Sequence, residues 1–396
     1  MEIISGTIAA PLGFYADGQH CGLKKEKKDI GWFYSEVPAA VAGVFTTNKV
    51  QAAPIKWDKE IVKNGKVQAV VVNSGNANAC TGPAGHVAVK KMAEQVAEKL
   101  AIPTELVAVS STGIIGQAMP LETLVTGISS LAKDGNAYHF HEAILTTDTV
   151  TKEIVVTEEI AGEKITLAGV AKGSGMIHPN MATMLGYVTT DANISAELLQ
   201  EILKELTDVT FNQITVDGDT STNDTVLVIA NGLAQTKPIL KDSEAFALFK
   251  ADLHFVLETL AKKIAQDGEG ATKLIEVEVT EAKDPLAARM VAKSIVGSDL
   301  LKSAVFGKDP NWGRILCAGG YAGVDFDFEK VTIALAGIPV FEAGMAVQFD
   351  EELMAEKLAD KVVPISMSLA EGQACGKAWG CDLTYDYVKI NALYST

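Results

Sequence analysis

Cysteine is scarce in this chain, with five thiols (Cys21, Cys80, Cys317, Cys375, Cys381) among 396 residues. Their odd number, wide scatter and lack of any C-x-x-C pair exclude a disulfide framework and a zinc ribbon, so they read as buried thiols. The six histidines contain no H-E-x-x-H, and only His139 and His141 lie close together. Without a third ligand nearby they read as a solvated or hydrogen-bonded pair, and no metal is expected. Basic residues are outnumbered, 34 Lys and Arg against 50 Asp and Glu, for a net charge of −16. That field repels phosphate backbones and anionic headgroups, so nucleic acid and membranes are poor partners. An anionic substrate then needs a Lys or Arg built into its own pocket. No apolar run approaches the roughly 18 residues of a spanning helix. Met1-Glu2-Ile3-Ile4-Ser5-Gly6 lacks the basic and apolar regions of an export signal, and a cytoplasmic location is expected.

What the chain does have is core-forming material: 48% apolar and 21% charged residues, a profile that buries a sizeable core. Its length suits two large domains or one elaborate one. Gln68 to Val72 is a buried-strand run, and Met92, Val96 and Leu100 fall at helical spacing. Leu106 to Gly113 reads as a strand leading into a turn. Ser195 caps a helix with the stripe Leu198, Leu199, Ile202, Leu203 and Leu206, and a second stripe runs from Phe246 to Ile264. Ile275, Val277 and Val279 alternate with polar neighbours as a half-buried strand. Asp284-Pro285 opens a further helix that closes near Gly297. Val331 to Leu335 and Ile365 to Leu369 add strands. The fold class is therefore α/β or α+β, with sheets covered by helices.

Several signatures fail on spacing. Gly372 to Ala378 is one residue short of a P-loop and lacks its Ser or Thr. Asp217 to Asp224 resembles a calcium loop, but Thr222 and Val228 occupy the positions of the sharp-turn glycine and the bidentate acid. It reads as an Asx-rich turn before a strand at Thr225. No G-x-S-x-G elbow is present, which leaves an ordinary Ser-His-Asp hydrolase unsupported.

Gly169 to Val188 carries more chemistry. Gly173 and Gly175 allow close backbone approach, Pro179 sets a turn, and Thr183 stands where an apolar β-run begins. Two readings fit these residues. One is a glycine-rich loop with a buried threonine. In the other, the Thr183 hydroxyl attacks the carbonyl of Ala182, the acyl group shifts from nitrogen to oxygen, and water cuts the ester. Thr183 then becomes an N-terminus whose α-amino group, with a reference pKa of about 7.7–8.0, serves as its own base. Lys172 lowers that amine further and offers a cation to a substrate carboxylate. With the base supplied in this way, His178 reads as a loop-packing residue.

Five blocks decide between the readings: Ala171 to Leu185, Asn73 to Gly82, Thr146-Thr147-Asp148-Thr149, Ser221 to Thr225, and Lys308-Asp309-Pro310-Asn311-Trp312-Gly313-Arg314. Together, along the whole chain, they resemble the ornithine acetyltransferase family, the glutamate N-acetyltransferases of arginine biosynthesis. The resemblance implies scission between Ala182 and Thr183 into an α chain, residues 1–182, and a β chain, residues 183–396. It implies a two-domain αββα layering like that of N-terminal-nucleophile hydrolases with different connectivity, and an α2β2 heterotetramer. It further implies a ping-pong transfer of acetyl from N2-acetylornithine to L-glutamate through Thr183, without cofactor. Thr112 and Gly113 would form the oxyanion hole, and Thr146, Lys172, Thr183, Glu269, Asn391 and Thr396 would bind substrate. Lys172 is expected on the α-carboxylate and Glu269 on the cationic end of ornithine.

Some members of the family also use acetyl-CoA as donor, while others carry out only the ornithine reaction. No coenzyme A signature is visible here, so the second donor stays open. Two alternatives also stand: a self-processing aminopeptidase or amidase with water as acceptor, and a non-catalytic amino-acid-binding protein. On denaturing gels the purified protein is expected as two species of 182 and 214 residues, which together make the 396. Thr183→Ala should leave one full-length band, and an uncut wild-type chain would overturn the scission.

Overall fold

The run Gln68 to Val72 lies inside the strand Lys66–Asn76, whose successive side chains enter two different clusters: Val70 and Val72 on one face, Ala69 and Val71 on the other. Burial on both faces is why the sequence there is continuously apolar rather than alternating. The computed structural model describes residues 1–160, 162–178 and 184–393. Lys66–Asn76 belongs to a nine-stranded mixed sheet. Its order is Glu2–Ile4, Lys152–Ile160, Glu163–Lys172, Leu185–Thr190, Thr225–Ala230, Ile30–Phe45, Lys66–Asn76 and Val107–Ile114, with Phe14–Gln19 also paired to Ile30–Phe45. Two neighbouring pairs are parallel: Leu185–Thr190 with Thr225–Ala230, and Lys66–Asn76 with Val107–Ile114.

Residues on both sides of position 182 therefore share one sheet. Leu185–Thr190 and Thr225–Ala230 sit in its interior, flanked by Glu163–Lys172 and Ile30–Phe45. A second, seven-stranded sheet is built wholly from later residues, in the order Met345–Ala346, Ile338–Glu342, Thr332–Leu335, Val362–Ser368, Leu274–Ala282, Ala374–Cys381 and Ile214–Thr215. This is the layered mixed α/β architecture expected from the sequence.

Helices form where the stripes predicted them. Ser195 accepts from the Leu198 amide to start Ala196–Val209, and Asp284 accepts from the Ala287 amide to start Pro285–Val296. The longest helix, Glu244–Gln266, buries Phe249, Leu253, Val256, Leu257, Leu260 and Ile264 in one cluster with Val156 and Leu167 of the first sheet and Trp379 of the second. Gly169 lets this helix approach, since a Cβ there would stand 2.7 Å from Val256 and 2.8 Å from Leu260. Among the described residues no helix is long and apolar enough to cross a membrane.

The cysteines correct the sequence reading, because only Cys381 is buried; Cys21 is half-buried, and Cys80, Cys317 and Cys375 are exposed. Cys375 illustrates the reason: it occupies an outward position of a half-buried strand, where alternation overrides residue type. His141 is fully buried and accepts from the Ile8 amide at 3.2 Å, so the histidine pair is hydrogen-bonded, as expected. Replacing Leu257 by Ala is expected to cost roughly 2–5 kcal/mol in a urea titration. The same change at the exposed Leu248 of the same helix should stay within about 0.5 kcal/mol.

Candidate active site

Two strand ends and one loop build the site. Val107–Ile114 runs beside Lys66–Asn76 until Thr112 and Gly113, which pair with Ser74 and Gly75. Gly113 has φ of +129°, and a Cβ there would lie 2.4 Å from the carbonyl carbon of Gly75, so only glycine fits. On the other side, Glu163–Lys172 pairs antiparallel with Leu185–Thr190, and Lys172 stands opposite Leu185. The twelve residues between them leave and re-enter the sheet at neighbouring positions.

The outgoing arm of that loop is held residue by residue. Ser174 donates its hydroxyl to the Asp267 carbonyl at 2.7 Å, and its own carbonyl accepts from the Glu269 amide at 3.0 Å. Met176 adopts φ of 56°, a costly conformation for a non-glycine residue. It is held there because the amides of Met176 and Ile177 donate to the Asp217 carboxylate at 2.6 and 2.8 Å. His178 hydrogen-bonds through Nδ1 to the Thr215 hydroxyl at 2.9 Å, and its carbonyl accepts from Thr220 at 2.9 Å. On the returning arm the Met184 carbonyl accepts from the Thr225 amide at 2.9 Å.

Between these arms opens a small cavity of about 110 Å³. Thr112, Gly113, Thr146, Lys172, Glu269 and Asn391 all line it. Residues separated by up to 279 positions are thus brought together on one cavity. Ala182, Thr183 and Thr396 lie outside the described residues. Met184 and Leu185, which follow Thr183, line the cavity.

Its electrostatics rest on two side chains. Lys172 is buried, and its ammonium donates to the Thr112 hydroxyl at 3.4 Å. Among the described residues it has no carboxylate within 4 Å. Burial lowers its pKa, while Asp148, Asp224 and Glu269 favour its charged form. Glu269 is also buried rather than a solvated loop acid, and accepts from the Asn391 side chain at 2.7 Å. Gly175 makes room for it, since a Cβ there would stand 2.3 Å from the Glu269 carboxyl carbon. A buried cation without a direct counterion and a buried carboxylate on one cavity suit a ligand carrying both a carboxylate and an ammonium group.

Three residues that hold the site together were not singled out from sequence. Asp148 accepts from the Gly173 and Thr146 amides at 2.6 and 3.0 Å. Asn223 bridges the carbonyls of Ala77 and Ser111 at 2.5 and 2.8 Å, tying the Thr112 strand to its neighbouring loop. Asp217 anchors the Met176 turn. Asp148 and Asn223 lie within blocks that carried the family resemblance, but their partners are distant in sequence and give no local pattern. Among the described residues, no group of three or more His, Cys, Asp or Glu is placed to hold a metal ion.

Comparison with known proteins places this geometry. The model of the ArgJ family matches residues 15–396. Over the full length of both chains, the sequence is 58% identical to the arginine biosynthesis bifunctional protein ArgJ of Staphylococcus epidermidis and 59% identical to that of Streptococcus mutans. A crystal structure of the Bacillus halodurans protein of the same name aligns with a TM-score of 0.53 and 53% identity, covering 54% of this chain and 100% of its own.

The surroundings of His178 set a pH dependence of stability. Burial, then the nearby Lys293 and Lys302, push its pKa down to about 4. The unfolded chain takes up this proton below pH about 6.5 and the folded chain only near 4, so stability falls as pH drops across that window. His178→Gln is expected to make the fall in Tm between pH 6.5 and 4 shallower; an unchanged slope would show that the half-buried imidazole contributes nothing to it.

Proposed function

The chain belongs to the ArgJ family, acetyltransferases of arginine biosynthesis, and on that premise we propose that it cleaves itself between Ala182 and Thr183 and then moves an acetyl group from N2-acetylornithine to L-glutamate. The observation that carries this reading is the cavity in which Lys172 and Glu269 face a space bounded by the two arms of the 173–184 loop. The extent of the Bacillus halodurans chain supports the scission: 54% of 396 residues is about 214, the length of the fragment that begins at Thr183. The shared nine-stranded sheet explains how two fragments stay together after the cut.

In the proposed mechanism the α-amino group of Thr183 takes the proton from its own hydroxyl as Oγ attacks the acetyl carbonyl of N2-acetylornithine. The oxyanion is met by the Thr112 hydroxyl and the Gly113 amide. Since Lys172 donates to the Thr112 oxygen, the hydroxyl proton of Thr112 is left to point at that oxyanion, polarised by the neighbouring cation. Collapse breaks the C–N bond, ornithine leaves with the proton, and an acetyl ester remains on Thr183. The amine of glutamate then attacks the ester, returns the hydroxyl and leaves as N-acetylglutamate. An amide is exchanged for an amide, so the overall transfer is near balance, the uphill formation of the ester being offset by its downhill aminolysis.

Binding follows the charges. Lys172 takes the α-carboxylate common to both amino acids, Glu269 takes the side-chain ammonium of ornithine, and Thr146, Asn391 and Thr396 supply neutral hydrogen bonds. From the family we carry over the α2β2 assembly and a cytoplasmic setting. The word bifunctional in the names of the relatives favours acetyl-CoA as a second donor to glutamate.

Ornithine release from N2-acetylornithine is expected to depend on glutamate, with N-acetylglutamate formed in equal amount. Steady release into water without glutamate would favour the amidase alternative. Thr112→Val should lower kcat by about 10² to 10³ while KM moves only a few-fold. Acetylation of glutamate by acetyl-CoA alone tests the second donor, and its absence would restrict the enzyme to the ornithine reaction.

A further inference from the structure

From the cavity wall inward, four charged side chains of alternating sign are packed out of solvent: Lys172, Asp148, Lys152 and Asp267, between 0% and 9% exposed. Asp148 accepts from the Lys152 ammonium at 2.6 Å, from the Gly173 amide at 2.6 Å and from the Thr146 amide at 3.0 Å. Lys152 also donates to Asp267 at 2.5 Å. Asp267 accepts from the amide and hydroxyl of Thr149, and its carbonyl takes the Ser174 hydroxyl. The cluster therefore joins the loop after Lys172 to the loop that carries Glu269. None of Asp148, Lys152 or Asp267 lines the cavity, whereas Lys172 does.

We propose that Asp148 is a positioning residue that holds the Lys172 ammonium charged and aimed at the substrate carboxylate, and that Lys152 positions Asp148 while opposing the Lys172 charge, neither residue touching substrate. This rests on the reading of Lys172 as the carboxylate-binding cation. A lysine buried without compensation sheds its proton, because desolvation penalises the charged form. A carboxylate in direct contact would keep the charge but occupy the N–H groups that the ligand needs. Asp148 avoids that conflict, since its carboxylate is held by three other donors and acts on Lys172 through space. It is the largest charge favouring the Lys172 cation, ahead of Asp224 and Glu269, while Lys152 opposes it. Lys24 also faces this group; it donates to the Leu145 carbonyl at 2.8 Å and is itself pushed down to about 8 by burial. Burial alone would raise the Asp148 carboxyl, but Lys172 and Lys152 hold it well below the usual carboxylate range. It remains an anion throughout the working range of pH.

The arrangement has a signature that ordinary structural damage cannot reproduce, which is that its two members act with opposite sign. Asp148→Asn removes the charge that favours the Lys172 cation. Lys152→Met removes the charge that opposes it and leaves both aspartates to act on Lys172. The readout is the inhibition constant of N-acetylglutamate between pH 6 and 10, a range in which this ligand has no titrating group of its own.

Asp148→Asn is expected to move the alkaline loss of binding about one unit toward acid, roughly tenfold weaker inhibition beyond it. Lys152→Met is expected to move it toward alkali. Weakening at every pH, with no shift of opposite sign in the two variants, would overturn the inference. Should Asp148→Asn fail to fold, Lys152→Met alone decides: an alkaline shift supports the inference and an unmoved or acid-shifted limb overturns it. Lys172→Met keeps the two levels apart. If it leaves inhibition intact, the carboxylate role of Lys172 falls and this inference with it, whereas an unmoved limb with Lys172-dependent binding overturns the inference alone.

Discussion

The pairing of Lys172 with Leu185 is the contact on which the rest of the site depends. Because these residues are opposite one another on antiparallel strands, the loop between them must turn back on itself within twelve residues. Its outgoing arm is forced through a left-handed Met176 and secured by the Asp217 carboxylate. The cavity is the space this turn encloses together with the Thr112–Gly113 strand end and the Glu269 loop. The same register places Leu185–Thr190 inside a sheet otherwise built mostly of earlier residues. A chain cut within the loop would therefore lose one covalent bond but none of the ladder that joins its halves.

In a protein with a net charge of −16, the positive charge on the cavity wall is internal, carried by the buried Lys172. Lys172 is withdrawn from solvent, where the surface field is least screened by water but also where an ammonium is hardest to keep. The alternating cluster of Asp148, Lys152 and Asp267 offsets that cost and ties the cation to two loops at once. Rigid attachment also means that Lys172 and Glu269 keep their separation when the cavity is empty, which limits the ordering cost of binding.

Much of the local structure was legible from residue pattern. Ser195 and Asp284-Pro285 mark helix starts by side-chain caps that act within three residues, and the stripe from Phe249 to Ile264 buries as its spacing requires. Pattern failed where the partner was remote. Cys375 faces solvent because strand alternation outweighs the preference of a thiol for the interior. Nothing near Asp148 in sequence announces that Gly173 will donate to it, and nothing near Asn223 points to Ala77 and Ser111. Gly175 reads locally as a source of backbone freedom, yet its use is to admit the Glu269 carboxylate.

The sequence by itself determined the element types, the layered α/β class, the family, and the residue kinds that the chemistry requires, since caps, periodicity and motif blocks act over short stretches of chain. Only the tertiary structure decided that Thr112, Lys172, Glu269 and Asn391 face one cavity, that strands from both sides of position 182 share a sheet, and that a buried run of alternating charges stands behind Lys172. Those features depend on register between distant strands and on desolvation, and both exist only once the chain has packed against itself.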